Sequence, residues 1–583
     1  MKIDSYFEQS FDGEHQLFFL IREALSSGKD IVIPENLSFK FNQKISFVYI
    51  SLFQNGVKSI RWGSRKKTLE KTIQHNINKL RQNKEIFKFN LESLNECRIL
   101  FEVVTKQLNC DINKTNYSSQ KYHYEPGIVG FKILFQDKVR YFMPTDAVVK
   151  DKSKLDDVLL FMANKFNFQG DRKNIIFRMK QKDVHYELLH SKAFISYKEM
   201  VLPLLRGYPM PLKPLNQNRL GEITLKAIDW LVDNCDEDGQ FIYKYSGIDN
   251  KKYYENRIGR HNGSIVALCQ AYEISGNSRY LDAATRAISY SRRFIKVQSE
   301  DPYKCYYHYN ANNSSLGGTS LALIAMMMYK KYNQDSTLDK DIHGLARHIL
   351  SRIEDNGEML IYYIHDRING KNPIEYMTDE EKEKFHVFYY PGEAMFALGL
   401  YYRKMININE LFRKEIYNKA KKAMHFLVHI RPKKYPKLFE KVPSDAWFMQ
   451  GIEEWNKVEG FCTKDDISFL YNDAEAIIAY MRKHEDSPNI NIGARSEGVI
   501  AAYYTAKYLG DEEKATFIIK NVIQSVEGLM KTYHSVESTY AHLYPEKSIG
   551  TFSFRMTNQW IRIDTIQHTA CLLGRLYLSG EMK

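Results

Sequence analysis

The sequence predicts two structural classes in one chain. An α+β domain comes first, and an all-α toroid of six helical hairpins with a central funnel follows. Three observations predict this. Residues 1–202 interleave short alternating runs with amphipathic ones. Pro203, Pro209, Pro211 and Pro214 then fall close together, a density that resists helix and sheet and marks residues 203–217 as a linker. From residue 218 to 583 the pattern is helical, and six apolar helices begin alike.

The N-terminal elements follow in order. Leu17, Phe18, Ile21 and Leu25 have helical spacing, so residues 11–26 are expected to be an amphipathic helix. Lys44 to Phe53 is β-branched, aromatic and alternating, hence a strand. Gln54-Asn55-Gly56 is a hairpin turn leading into a return strand, Val57 to Trp62. Thr68 to Gln82 reads as a helix and Arg98 to Thr105 as a strand. Gly130 to Phe135 and Val139 to Met143 form a second hairpin, before a helix from Lys154 to Phe166.

The six helix starts place small and polar residues before, or in the first turn of, an apolar run. They are Arg260-His261-Asn262-Gly263-Ser264, Gly317-Gly318-Thr319-Ser320, Phe388-Tyr389-Tyr390-Pro391-Gly392-Glu393-Ala394, Asp445-Ala446-Trp447-Phe448-Met449, Ala494-Arg495-Ser496-Glu497-Gly498 and Arg562-Ile563-Asp564-Thr565-Ile566-Gln567-His568. Pro391 suits a first helical turn, where its missing N–H costs nothing. Gly392 and Ala394 let another backbone come close. Each apolar run has an amphipathic companion, so the apolar helices read as inner and the companions as outer. Six hairpins of this kind close into a ring; an open solenoid is the structural alternative.

Composition limits the function classes. Hydrophobic residues are 44% and charged residues 26% of 583, an ordinary globular balance. The seven cysteines form no Cys-x-x-Cys pair and are odd in number, so reduced thiols are expected rather than a disulfide framework. Met1 to Glu8 does not read as a signal peptide and no run of about 18 apolar residues occurs. A cytoplasmic protein without membrane spans is expected. Residues 1–214 carry 35 Lys+Arg against 23 Asp+Glu, which leaves nearly all of the net +13 in that third. Such a surface is either solvated lysine or a face for an anionic partner, with Arg65, Lys66 and Lys67 as its densest cluster.

Parallel inner helices would bring all six starts to the funnel mouth. Helix N-termini suit anionic or hydroxyl-rich ligands. Arg260, Arg495 and Arg562 could fork onto a carboxylate or phosphate. Tyr389, Tyr390 and Trp447 could stack on sugar faces, with Asp445 among the binding groups. His261, His568, Glu393, Glu497 and Asp564 could move a proton near neutral pH. Each has a structural reading too: the glutamates complement helix dipoles, Asp445 caps its helix, Trp447 is core, and Gly317-Gly318 serve packing. Asp564 and His568 are four apart, so the carboxylate is expected to orient the imidazole. No phosphate loop, Gly-x-Gly-x-x-Gly or His-Glu-x-x-His occurs, and no metal or cofactor is expected.

Two resemblances add to this. Phe47-Val48-Tyr49-Ile50-Ser51-Leu52, Leu94 to Val103, Glu125-Pro126-Gly127-Ile128-Val129-Gly130 and Tyr141-Phe142-Met143-Pro144 stand in the order of the AMMECR family's pieces. Where that family carries its Leu-Arg-Gly-Cys-Ile-Gly signature, this chain has Val57 to Gly63, so the resemblance implies a degenerate, supporting domain. The six helix starts resemble a set of six-hairpin proteins, with departures at Asn262 and Ser264. The wider class looks like N-acylglucosamine 2-epimerases, glucuronyl epimerases and glycosidases or lyases of the toroid type. With the residues at the helix starts, the expectation is a carbohydrate-active enzyme, an epimerase or isomerase that moves a proton on an anionic sugar or sugar derivative, with His261 and His568 as the acid/base pair, Glu393 and Glu497 orienting or assisting, and Arg260, Arg495 and Arg562 holding the anionic group. A glycosidase with a carboxylate pair, or a non-catalytic binding or assembly protein, are the alternatives.

Overall fold

The computed structural model describes residues 12–33, 47–114, 124–210, 214–255, 257–298, 305–309, 313–333, 335–365, 387–405, 408–439, 445–483, 490–556 and 558–582. The expected start of the first strand, at 44–46, lies outside them.

The N-terminal part is an antiparallel sheet with helices packed against it. Helix α1 (Asp12–Ser27) precedes the hairpin β1 (Val48–Gln54) and β2 (Val57–Ser64), followed by α2 (Leu69–Arg81). Gly56 supplies the positive φ, +73°, that the expected turn requires. Strand β3 (Arg98–Cys110) runs five residues past the expected end, then comes the hairpin β4 (Val129–Phe135) and β5 (Lys138–Phe142). Helices α3 (Leu155–Lys165) and α4 (Arg172–Met179) lead into β6 (Val184–Tyr197), which pairs with β3, β4 and β7. Strand order is β2-β1-β3-β6-β4-β5. Leu17, Ile21, Leu25, Ile73 and Ile77 from α1 and α2 bury against β1 and β3.

The proline-rich stretch corrects the linker reading in its first half. Pro203 lies in β7 (Met200–Leu205) and Pro209 in β8 (Tyr208–Pro209), short strands beyond β6. Near a sheet edge a missing N–H costs little.

The remainder is the toroid. Its outer helices are α5 (Gln217–Asp233), α7 (Arg279–Arg292), α9 (Asp339–Ser351), α11 (Glu410–His425), α13 (Lys464–Lys483) and α15 (Glu512–Leu529). Its inner helices are α6 (Ile258–Ser275), α8 (Leu316–Lys330), α10 (Tyr390–Lys404), α12 (Ala446–Asn456), α14 (Ile490–Leu509) and α16 (Ile563–Ser579). Each inner helix packs on the next, and α16 packs back on α6, so the ring is closed. Small residues at the helix starts permit this. A Cβ at Gly317 would overlap Glu393 Oε2 and the Tyr390 ring, and one at Gly392 would overlap Asp445 and the backbone of Phe448. Ser315 and Asp445 cap α8 and α12 by accepting from the N–H groups of Gly318 and Phe448.

The toroid touches the sheet domain through an excursion between α15 and α16. Tyr540 packs edge-on against Phe53 and donates to Gly207 O at 2.8 Å. The Gly56 N–H donates to Leu543 O at 2.7 Å. Among the described residues no helix is long and apolar enough to cross a membrane.

Candidate functional site at the funnel mouth

The N-terminal ends of all six inner helices meet around one cavity of about 620 Å³. Their free N–H groups and positive dipole ends face it together. Glu393, Trp447 and Ala494 line it from three helices, Asp564 and His568 from a fourth, Gly317 and Gly318 from a fifth and Arg260 from the sixth.

The best-defined group is a pair on adjacent inner helices. His568 Nδ1 lies 2.5 Å from Glu497 Oε2, with the Glu497 side chain only 3% exposed. Burial alone would lower the His568 pKa; the charge and hydrogen bond of Glu497 outweigh it and hold it above 6.5. With Nδ1 engaged, Nε2 is the nitrogen left for a ligand. The Trp447 ring stands 6.2 Å from the imidazole, centroid to centroid, and shields it.

The expected partner of His568, Asp564, is otherwise engaged. Arg562 Nε donates to Asp564 Oδ1 at 2.9 Å and its Nη2 donates to Oδ2. Arg260 Nε lies 3.1 Å from Oδ2, and the Thr565 N–H donates to Oδ1. The i,i+4 spacing allowed an Asp564–His568 bond, but two guanidinium groups hold the carboxylate instead. Arg562 is therefore not a free fork either; only Nη1 remains unbonded to Asp564.

Glu393 is the third element. It is 2% exposed, lines the cavity, and its Oε2 is buried without a hydrogen-bond partner among the described residues. Burial, and then the Asp445 charge, push its pKa well above 4.5 and favour the protonated carboxyl.

Of the other expected residues, Arg260, Tyr389, Tyr390, Trp447 and Arg562 line the cavity, while His261, Asp445 and Arg495 do not. His261 is buried between the Phe241 and Tyr290 rings, with Nε2 on Ala287 O of outer helix α7 at 2.9 Å. Burial lowers its pKa to about 4. Asp445 caps α12 and pairs with the equally buried Arg431 at 3.1 Å. Arg495 stacks 4.0 Å over Tyr480 of outer helix α13. A backbone carbonyl and ring faces hold His261 and a ring face holds Arg495, while the Arg431 guanidinium and the Phe448 N–H hold Asp445. The structure adds Arg257, His308, Ser315, Phe554 and Gln567 to the wall. His308 is buried, its pKa lowered to about 3 by burial, and Nε2 bonds Ser291. Gln567 lies in α16, within its recognised helix start; the other four sit in short strands and loops outside the quoted starts. Among the described residues no group of three or more His, Cys, Asp or Glu is placed to hold a metal ion.

No family model and no curated protein matches the chain, so the AMMECR resemblance rests on the motifs quoted above. Solved structures do align. A sugar epimerase from a ruminal bacterium is 12% identical, with 62% of this chain and 99% of that one covered at a TM-score of 0.46. A D-mannose isomerase is 13% identical, with 63% and 100% covered at 0.45. An uncharacterized protein from Pyrococcus horikoshii is 14% identical, with 34% and 99% covered at 0.27. Likenesses this distant bear on neither the reaction nor its residues.

Proposed function

We propose that the funnel is the active site of a carbohydrate-active enzyme that moves a proton on a sugar or sugar derivative, an isomerase or epimerase. The observation that supports this is a positioned imidazole, His568 held by Glu497, in one cavity with Glu393, a carboxyl whose proton affinity burial raises. In this reading the His568 Nε2 removes the proton from the carbon beside a sugar carbonyl. The C–H electron pair forms the enediol double bond, and the carbonyl oxygen takes a proton from Glu393. Returning the proton to the neighbouring carbon gives isomerisation and returning it to the opposite face of the first gives epimerisation; in both, the enediol hydroxyl that becomes the new carbonyl gives its proton back to the Glu393 carboxylate. Glu497 keeps Nδ1 protonated and offsets the imidazolium charge. Arg257, Arg260 and Arg562 favour an anionic substrate.

Asp564 weighs against a glycosidase. A carboxylate pair needs two carboxyl groups free to face the sugar, and both Asp564 oxygens are engaged. The test is incubation with aldoses, uronic acids and amino sugars in D₂O, read by NMR for deuterium beside the carbonyl. Exchange is expected, and His568→Gln should slow it by roughly 10²–10⁴-fold. No exchange across the panel, or full exchange by His568→Gln, would contradict the reading.

The basic sheet domain supports a second, separate reading: an anionic partner. Arg65, Lys66 and Lys67 are exposed and form no ion pair among the described residues. Binding of a polyanion there should weaken steeply with salt.

A further inference from the structure

A smaller cavity of about 210 Å³ adjoins the funnel and shares the walls formed by Phe554 and Arg562. Tyr243, Lys244, Glu255, Asn558 and Trp560 complete it. Its cations are placed in an unusual way. Lys244 and Arg562 are direct partners across an antiparallel strand pair. Residues in that relation have Cβ atoms about 4.5–5.5 Å apart, and like charges there repel. Arg562 is offset by Asp564, but Asp564 is shared with Arg260. Glu255 pairs with Arg257. Among the described residues Lys244 pairs with no carboxylate; its Nζ rests 4.5 Å from the Trp560 ring and 4.7 Å from the Tyr253 ring. Where the two cavities join, four cations therefore face two carboxylates. A cation on an aromatic face is weakly held and is readily drawn off by an anion.

We propose that this second cavity is an anion subsite, in which Lys244 and Arg562 hold the carboxylate or phosphate of a substrate whose sugar carbonyl lies in the funnel. The substrate class is then a sugar acid or sugar phosphate, or a sugar linked to an ionised unit, rather than a neutral hexose. The volume admits one such group or one further sugar ring. Asn558 adds a side-chain amide to the wall, and Phe554 and Trp560 close the sides. This inference rests on the proposed sugar chemistry only for the identity of the unit in the funnel.

Calorimetry on the full chain with glucose, glucuronic acid, glucose 6-phosphate and inorganic phosphate tests it. The anionic sugars should bind at least tenfold more tightly than glucose, and the carboxylate and phosphate arms show which anion is preferred. Lys244→Met should remove that margin, Lys244→Arg should keep most of it, and His568→Gln should leave it intact. Anions that bind Lys244→Met as well as wild type, or no better than glucose, overturn the subsite. If Lys244-dependent anion binding appears without deuterium exchange on any sugar, the subsite stands and the proton-transfer reading falls. Exchange together with Lys244-independent anion binding leaves the opposite result.

Discussion

Glu102 in the sheet domain and Glu393 in the toroid are both buried carboxyls pushed upward by burial, yet their surroundings differ. Glu102 accepts from the Thr145 hydroxyl at 2.5 Å, the Ser191 hydroxyl at 2.6 Å and the Thr145 N–H at 3.3 Å. Its pKa is pushed up to about 7. Glu393 has no partner for Oε2 among the described residues and lies well above its ordinary value. The neighbouring cations repeat the contrast. In the sheet, Arg61 is held by both oxygens of Asp146, whereas Lys244 beside the funnel has only aromatic faces. Folding has satisfied one carboxyl and left the other facing a cavity. A buried polar atom without a partner costs about 1–3 kcal/mol, and the proposed function supplies a ligand for the one on Glu393.

The largest effect that would break this contrast is in activity. Glu393→Gln keeps the shape but removes the donated proton, and should cut deuterium exchange by roughly 10²-fold or more. Its melting temperature should stay near wild type, because an amide is no worse buried there than an unpartnered acid. A large loss of stability with unchanged exchange would make Glu393 structural, like Glu102. Next in size is Glu102 itself. Its folded pKa is above its unfolded one, so the folded state binds more protons between about pH 4.5 and 7, and stability falls as pH rises through that window. The expected loss is about 3 kcal/mol. Glu102→Gln should flatten that slope in chemical denaturation; an unchanged slope would show that Glu102 is not its source.

Gly317→Ala should cost about 1–3 kcal/mol by overpacking and displace Glu393, lowering exchange as well. Thermal unfolding and turnover should therefore fall together, unlike in Glu393→Gln. The smallest effect concerns the two parts. Residues 215–583 expressed alone should fold, since the ring closes on itself. Tyr540→Phe in the whole chain removes one interdomain hydrogen bond and should cost about 1 kcal/mol. Unfolded protein from residues 215–583 would show that the excursion carrying Tyr540 needs the sheet domain.

The ring was legible in the sequence because it is repetitive. Six similar helix starts with amphipathic companions allow few arrangements, and Glu393, Glu497, Asp564 and His568 were all visible at those starts. Their pairings were not. The Asp564–His568 expectation used spacing within one helix, whereas the His568–Glu497 bond depends on the register between two helices, which no single-helix pattern encodes. His261 was misplaced for a related reason. Neighbouring helical residues point about 100° apart. An inner helix is apolar on every side, so polarity does not reveal that Arg260 faces the funnel while His261 faces α7. Lys244, Phe554 and Asn558 come from short strands and an excursion with no period to read. In the sheet domain, β6 escaped because its burial changes face along its length, which erases the alternation a strand is read from.

The central claim is that Glu497 turns a buried imidazole into a proton carrier, and titrating His568 by heteronuclear NMR tests it most directly. In the wild type His568 should titrate above 6.5, with the Nδ1 proton shifted far downfield by Glu497. In Glu497→Gln burial remains while the largest opposing charge is gone, with only the weaker pull of Asp564 left against it, and the pKa should drop. A His568 that titrates below 6.5 in both proteins, indifferent to Glu497, would contradict the account.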